Sequence, residues 1–148
     1  MMRYGYSIFC DDIRSEAGGK LSFIGCYNAV MLTAQRFPIK LSKFCIHFHV
    51  FSPATQPYTS VMARCYMPGE PEPIANEPIE VPGLREQQSL LDGLPKDITV
   101  PPYIVVASSL VFSPLEIREP GLIHFRVLIN GGVEEMHLGS LQVMSSSS

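Results

Sequence analysis

The feature that most constrains this chain is a two-residue alternation of apolar and less apolar side chains, broken at short intervals by proline and glycine. In KFCIHFHVF (43–51), Phe44, Ile46, Phe48 and Val50 fall on one face, and Cys45, His47, His49 and Phe51 on the other. GLIHFRVLIN (121–130) repeats the pattern: Ile123, Phe125, Val127 and Ile129 point one way, and His124, Arg126 and Asn130 the other. Side chains alternate across an extended strand, whereas a helix repeats every 3.6 residues, so these segments read as strands. Further strands are expected at 4–10, 20–32, 58–67, 78–81, 103–112 and 137–144. Turn signals separate them at Pro53, Pro57, Pro68-Gly69, Pro82-Gly83, Pro120-Gly121 and Gly131-Gly132. The pattern predicts an all-β fold, an antiparallel β-sandwich of immunoglobulin-like or jelly-roll-like topology with about seven to nine strands. One domain is expected over 1–144, with 145–148 as a disordered serine tail.

Two stretches depart from the alternation. Five prolines among acids in 68–82 predict an extended loop or edge strand, because proline cannot donate to a strand ladder. LREQQSLLDGLP (84–95) carries Leu84, Leu91 and Leu94 at helical spacing, so at most one short helix is expected, near 84–92. In the C-terminal third, Asn130-Gly131 offers the positive φ that a tight hairpin needs between two alternating strands.

Composition excludes several function classes. Eleven basic residues are scattered without a run and the net charge is −3, so a nucleic-acid partner is not expected. No apolar stretch approaches the ~20 residues of a membrane span, and MMRYGYSIFCDD lacks the long apolar core of a signal peptide. The expected location is therefore the cytoplasm. Cys10, Cys26, Cys45 and Cys65 are far apart in sequence, form no CxxC pair and each lie in a strand-like run; they read as small buried hydrophobes. With 46% hydrophobic and only 17% charged residues, the chain is expected to cover part of its surface with another subunit, as a homo-oligomer or within a larger assembly.

Three constellations could carry chemistry. Asp11, Asp12 and Glu16 are close enough in sequence to suggest a cation loop, yet Arg14 stands among them and the calcium-loop pattern is absent. The plainer expectation is carboxylates accepting backbone N–H groups at a strand end, with Arg14 in an ion pair. Gly18-Gly19-Lys20 is followed by Leu21 and a strand, and position 14 is Arg, so it is a hairpin turn and no phosphate loop. His47-Phe48-His49 places two imidazoles on one strand face, as a cupin-like metal enzyme would; His124, after Pro120-Gly121, could supply a further ligand, but the acid expected soon after His49 is missing. No nucleophile elbow occurs, and no cofactor is expected.

The strings FCDDIRSEAGGKLSFIGCYNAVM and FPIKLSKFCIHFHV resemble a family of small, mostly bacterial proteins with a domain of unknown function. The resemblance extends to the EPG turn of the C-terminal hairpin, and so covers most of the chain. It implies one complete domain in a bacterial or phage setting, and no activity or site residue. The expected function is a non-enzymatic binding or assembly module acting through protein–protein contacts. A cupin-like enzyme using His47 and His49, and a cation- or ligand-binding module using Asp11, Asp12 and Glu16, are the alternatives.

Overall fold

Strands form where the alternation lets one face leave water while the other stays at a surface. The computed structural model describes residues 2–97 and 102–146. In chain order the elements are β1 (Tyr4–Ser15), β2 (Leu21–Cys26), β3 (Val30–Thr33), β4 (Ile39–Leu41), β5 (Phe44–Pro53), β6 (Val61–Tyr66) and β7 (Ala75–Ile79). Helix α1 (Leu84–Asp92), the one helix among the described residues, precedes β8 (Tyr103–Phe112), β9 (Leu115–Ile117), β10 (Gly121–Ile129) and β11 (Glu134–Ser145). A front sheet has the order β2-β1-β5-β8, a back sheet the order β3-β11-β10-β6-β7, and β4 pairs with β9 as a separate ribbon.

The architecture is the expected all-β sandwich, with eleven strands among the described residues instead of seven to nine. The excess has local causes. The expected strand 20–32 breaks at Ala29, whose φ of 75° leaves the extended region, and its second half joins the other sheet as β3. The short β4 and β9 carry too few residues to show a period. The serine tail also needs correction: Ser145 is the last residue of β11 and pairs with Thr33, and the Ser146 N–H donates to the Thr33 carbonyl at 2.8 Å. The remaining tail residues, 147–148, lie outside the described residues.

The inward faces make one core. Phe44, Ile46, Phe48 and Val50 of β5 meet Ile123, Phe125, Val127 and Ile129 of β10, all fully buried. The Phe48 and Phe125 rings, 5.0 Å apart, join the two sheets at the centre. Burying each such ring contributes roughly 1.5–3 kcal/mol from area alone. Where β1 passes β11, the packing leaves no room for a side chain at Gly139. A Cβ on Gly139 would stand 2.4 Å from Ser7 Oγ and 3.1 Å from the Phe9 ring. The Ser7 hydroxyl uses that closeness to donate to the Leu138 carbonyl at 2.9 Å.

Helix α1 is anchored by a polar contact. Gln87 is 1% exposed. Its amide oxygen accepts from the Tyr58 N–H at 2.8 Å, and its amide nitrogen donates to the carbonyls of Tyr58 at 2.8 Å and Pro82 at 2.7 Å. The side chain therefore satisfies three main-chain groups that have lost water. Gln87→Ala should cost about 2–4 kcal/mol by orphaning them, read as a lower urea midpoint at unchanged m-value, while Gln88→Ala on the exposed side should be near neutral.

Candidate functional site

The N-terminal carboxylates lie inside a strand. β1 runs through Asp11, Asp12 and Arg14 to Ser15, and the turn of the first hairpin is confined to 16–20, later than the expected crossover from Asp11. Adjacent residues of a strand face opposite ways, and these carboxylates separate accordingly. Asp11 accepts from the Tyr27 hydroxyl. Asp12 accepts from Lys43 Nζ at 2.6 Å and from the Ile13 N–H at 2.9 Å, with Arg14 Nε 3.9 Å from its other oxygen. The bond from Lys43 holds the Asp12 carboxyl below the ordinary carboxylate range. Glu16 is exposed at the turn. The three acids do not converge on a cavity, and among the described residues no group of three or more His, Cys, Asp or Glu side chains is placed to hold a metal.

The cysteines also differ from expectation. Cys10, Cys45 and Cys65 are buried, but Cys26 is exposed. Burial pushes the Cys10 thiol up to about 11 and the Cys65 thiol up to about 12, so both stay protonated and inert at neutral pH.

His47 and His49 occupy the outer face of the front sheet. Their rings stand edge to face at 4.9 Å, and Tyr6 stacks on His49 at 5.0 Å. Phe23 of β2 reaches the His47 ring at 5.1 Å, and His47 is 4% exposed. His47 Nδ1 pairs with Ser109 Oγ at 2.7 Å, while His49 Nδ1 is a buried nitrogen with no hydrogen-bond partner among the described residues. The proposed third histidine is not here. His124 lies on β10 in the back sheet, so the set His47, His49 and His124 is divided between two sheets.

His124 has other company. Ser140 of β11 pairs with it directly, and the register then slips between Phe125 and Arg126, so that Phe125 faces Gly139 and Arg126 faces His137. On a regular strand His137 and Ser140, three positions apart, would point to opposite faces. The bulge at Leu138-Gly139 brings them to the same one. His124 Nδ1 lies 3.0 Å from Ser140 Oγ and 3.3 Å from His137 Nε2, and Ser140 Oγ lies 3.0 Å from His137 Nε2. Beside this cluster Arg126 pairs with Glu135 at 3.1 Å and lies over the Tyr66 ring at 5.2 Å. His124 also lines an open groove of about 830 Å³ with Tyr66, Glu70, Gly121, Arg126 and Gln142. Period-two reading missed His137. The one available signal was Gly139, a glycine inside a strand pattern, which often marks a bulge.

The two outer faces differ in chemistry. Where β1, β5 and β8 pair, the outward positions of the front sheet are Tyr4, Tyr6, Ile8 and Cys10 of β1, Cys45, His47, His49 and Phe51 of β5, and Tyr103, Val105, Ala107, Ser109 and Val111 of β8. None of these is Asp, Glu, Lys or Arg; Asp12, Arg14 and Lys43 lie past the end of this block, in their own ion-pair group. Tyr4, Tyr6, Val105 and Val111 are each between 44% and 56% exposed. The back sheet instead carries Arg64, Arg126, Glu135 and the histidine–serine cluster on its outer side. No protein-family model, curated protein or solved structure matches this chain. Among the described residues no helix is long and apolar enough to cross a membrane.

Burial lowers the His47 pKa below its ordinary 6.5, with His49 adding to the effect, so the folded protein disfavours the proton that the unfolded chain accepts. The corresponding stability is complete above pH 6.5 and is lost as pH falls below it, at up to about 1.4 kcal/mol per pH unit for each such histidine. His47→Gln should flatten the fall in urea midpoint between pH 7.5 and 5.5; an unchanged slope would remove His47 from the account.

Proposed function

We propose that the chain is a non-enzymatic β-sandwich module that associates through the outer face of its front sheet, with a second copy of itself as the occupant. The observation that carries this is the uncharged block of that face where β1, β5 and β8 pair, against a back sheet whose outer face is charged at its centre. Exposed aromatic and aliphatic side chains without interspersed charge are typical of surfaces that another chain covers. The adjoining β8 supports the same reading. It is an edge strand of ten residues without a charge or proline, the devices that usually keep a sheet edge from pairing. A two-fold partner would cover the aromatic face with the same face of its own sheet. Four unpaired thiols suit a reducing cytoplasm as the setting, and the N-terminal resemblance adds a bacterial or phage one.

Light scattering coupled to size exclusion tests the proposal. Untagged protein should be dimeric at tens of micromolar, and Val105→Lys with Val111→Lys should yield a folded monomer with unchanged circular dichroism. A wild-type monomer at several hundred micromolar would overturn self-association, and retention of a different protein on the same face would replace the second copy as occupant.

A further inference from the structure

We propose that His124, His137 and Ser140 form a binding site for a divalent transition metal of the zinc, nickel or copper class. This goes beyond a protein-contact module and lies on the opposite sheet from the proposed interface. Three donor atoms converge: His124 Nδ1, His137 Nε2 and Ser140 Oγ, with separations of 3.0, 3.0 and 3.3 Å. Zinc takes imidazole nitrogen at about 2.0–2.1 Å, so two ligands of one ion stand roughly 2.9 Å apart at a right angle and 3.4 Å apart at the tetrahedral angle. The observed triangle falls within that span and has the dimensions of one face of a coordination polyhedron. Imidazole is the preferred donor of this metal class, and the neutral hydroxyl adds a weaker oxygen ligand.

The placement favours a fixed site. All three residues stand on β10 and β11, adjacent strands of the back sheet, and not on loops. The bulge at Leu138-Gly139 is what turns His137 toward Ser140, and bulges commonly re-aim side chains beside functional sites. The nearest cation, Arg126, is held by Glu135 at 3.1 Å, which offsets its repulsion of an incoming ion. The donors form only one face, so the remaining coordination positions are open to water or a ligand, and the groove beside His124 gives one access. Because both nitrogens must be unprotonated to bind, affinity should fall as pH drops through the histidine range.

Calorimetric titration of untagged, chelator-treated protein with zinc chloride tests this, with cobalt chloride as an optical probe of coordination. The expected result is one equivalent bound, weakened at least tenfold by His137→Ala and by His124→Ala, and less by Ser140→Ala. His137 is exposed, so its alanine variant should fold, which circular dichroism verifies. His47→Ala/His49→Ala should bind as wild type does. Absence of saturable binding up to millimolar metal would overturn the proposal, as would binding that survives His137→Ala and His124→Ala or disappears only in the His47/His49 variant.

Discussion

The contact between Phe48 and Phe125 sets the spacing of the two sheets, and most of the molecule follows from it. Both rings come from the centres of their sheets, where flanking strands shield them from water. With that spacing fixed, the inward residues must fill about 10 Å between the sheets without gaps. Large side chains do so at the centre. Near β1 and β11 the packing is tight, and the missing side chain of Gly139 leaves the room that Ser7 and the Phe9 ring occupy. The outward chemistry is then decided by parity: each phenylalanine directed into the core by β5 directs a histidine or cysteine outward.

That parity explains how much could be read from the chain. β5, β8, β10 and α1 lie where alternation, helical leucine spacing and punctuation place them. The hairpin between β10 and β11 turns at Asn130, Gly131 and Gly132, all with positive φ, as the Asn-Gly signal implies. Short or irregular pieces were not legible. Three-residue β4 and β9 contain no period, and the parallel pairing of β3 with β11 depends on a partner more than a hundred positions away.

The candidate sites were less legible for a related reason. His47 and His49 share a face because they are two apart, and sequence suffices for that. His137 and Ser140 share a face in spite of being three apart, which requires a bulge that shows in the sequence only as one glycine. His124 was visible as a histidine on an outward face, but not its partner. Asp11 and Asp12, adjacent and acidic, suggested a cluster; as neighbours on a strand they are directed apart and engage Tyr27 and Lys43 separately.

β11 is the last of the described strands to be synthesised, yet it lies inside the back sheet between β3 and β10, and it carries two of the three donors near His124. Joining Val30 to Gln142 closes a very long loop, a topology associated with slow folding. Until that strand docks, the inward faces of β1 and β10 have no cover along one side. Meanwhile the uncharged β8 edge is already on the nascent chain. The interval between emergence of β8 and docking of β11 is thus the period in which the chain is most open to pairing with its neighbours, and anything that lengthens it trades folded protein for aggregate.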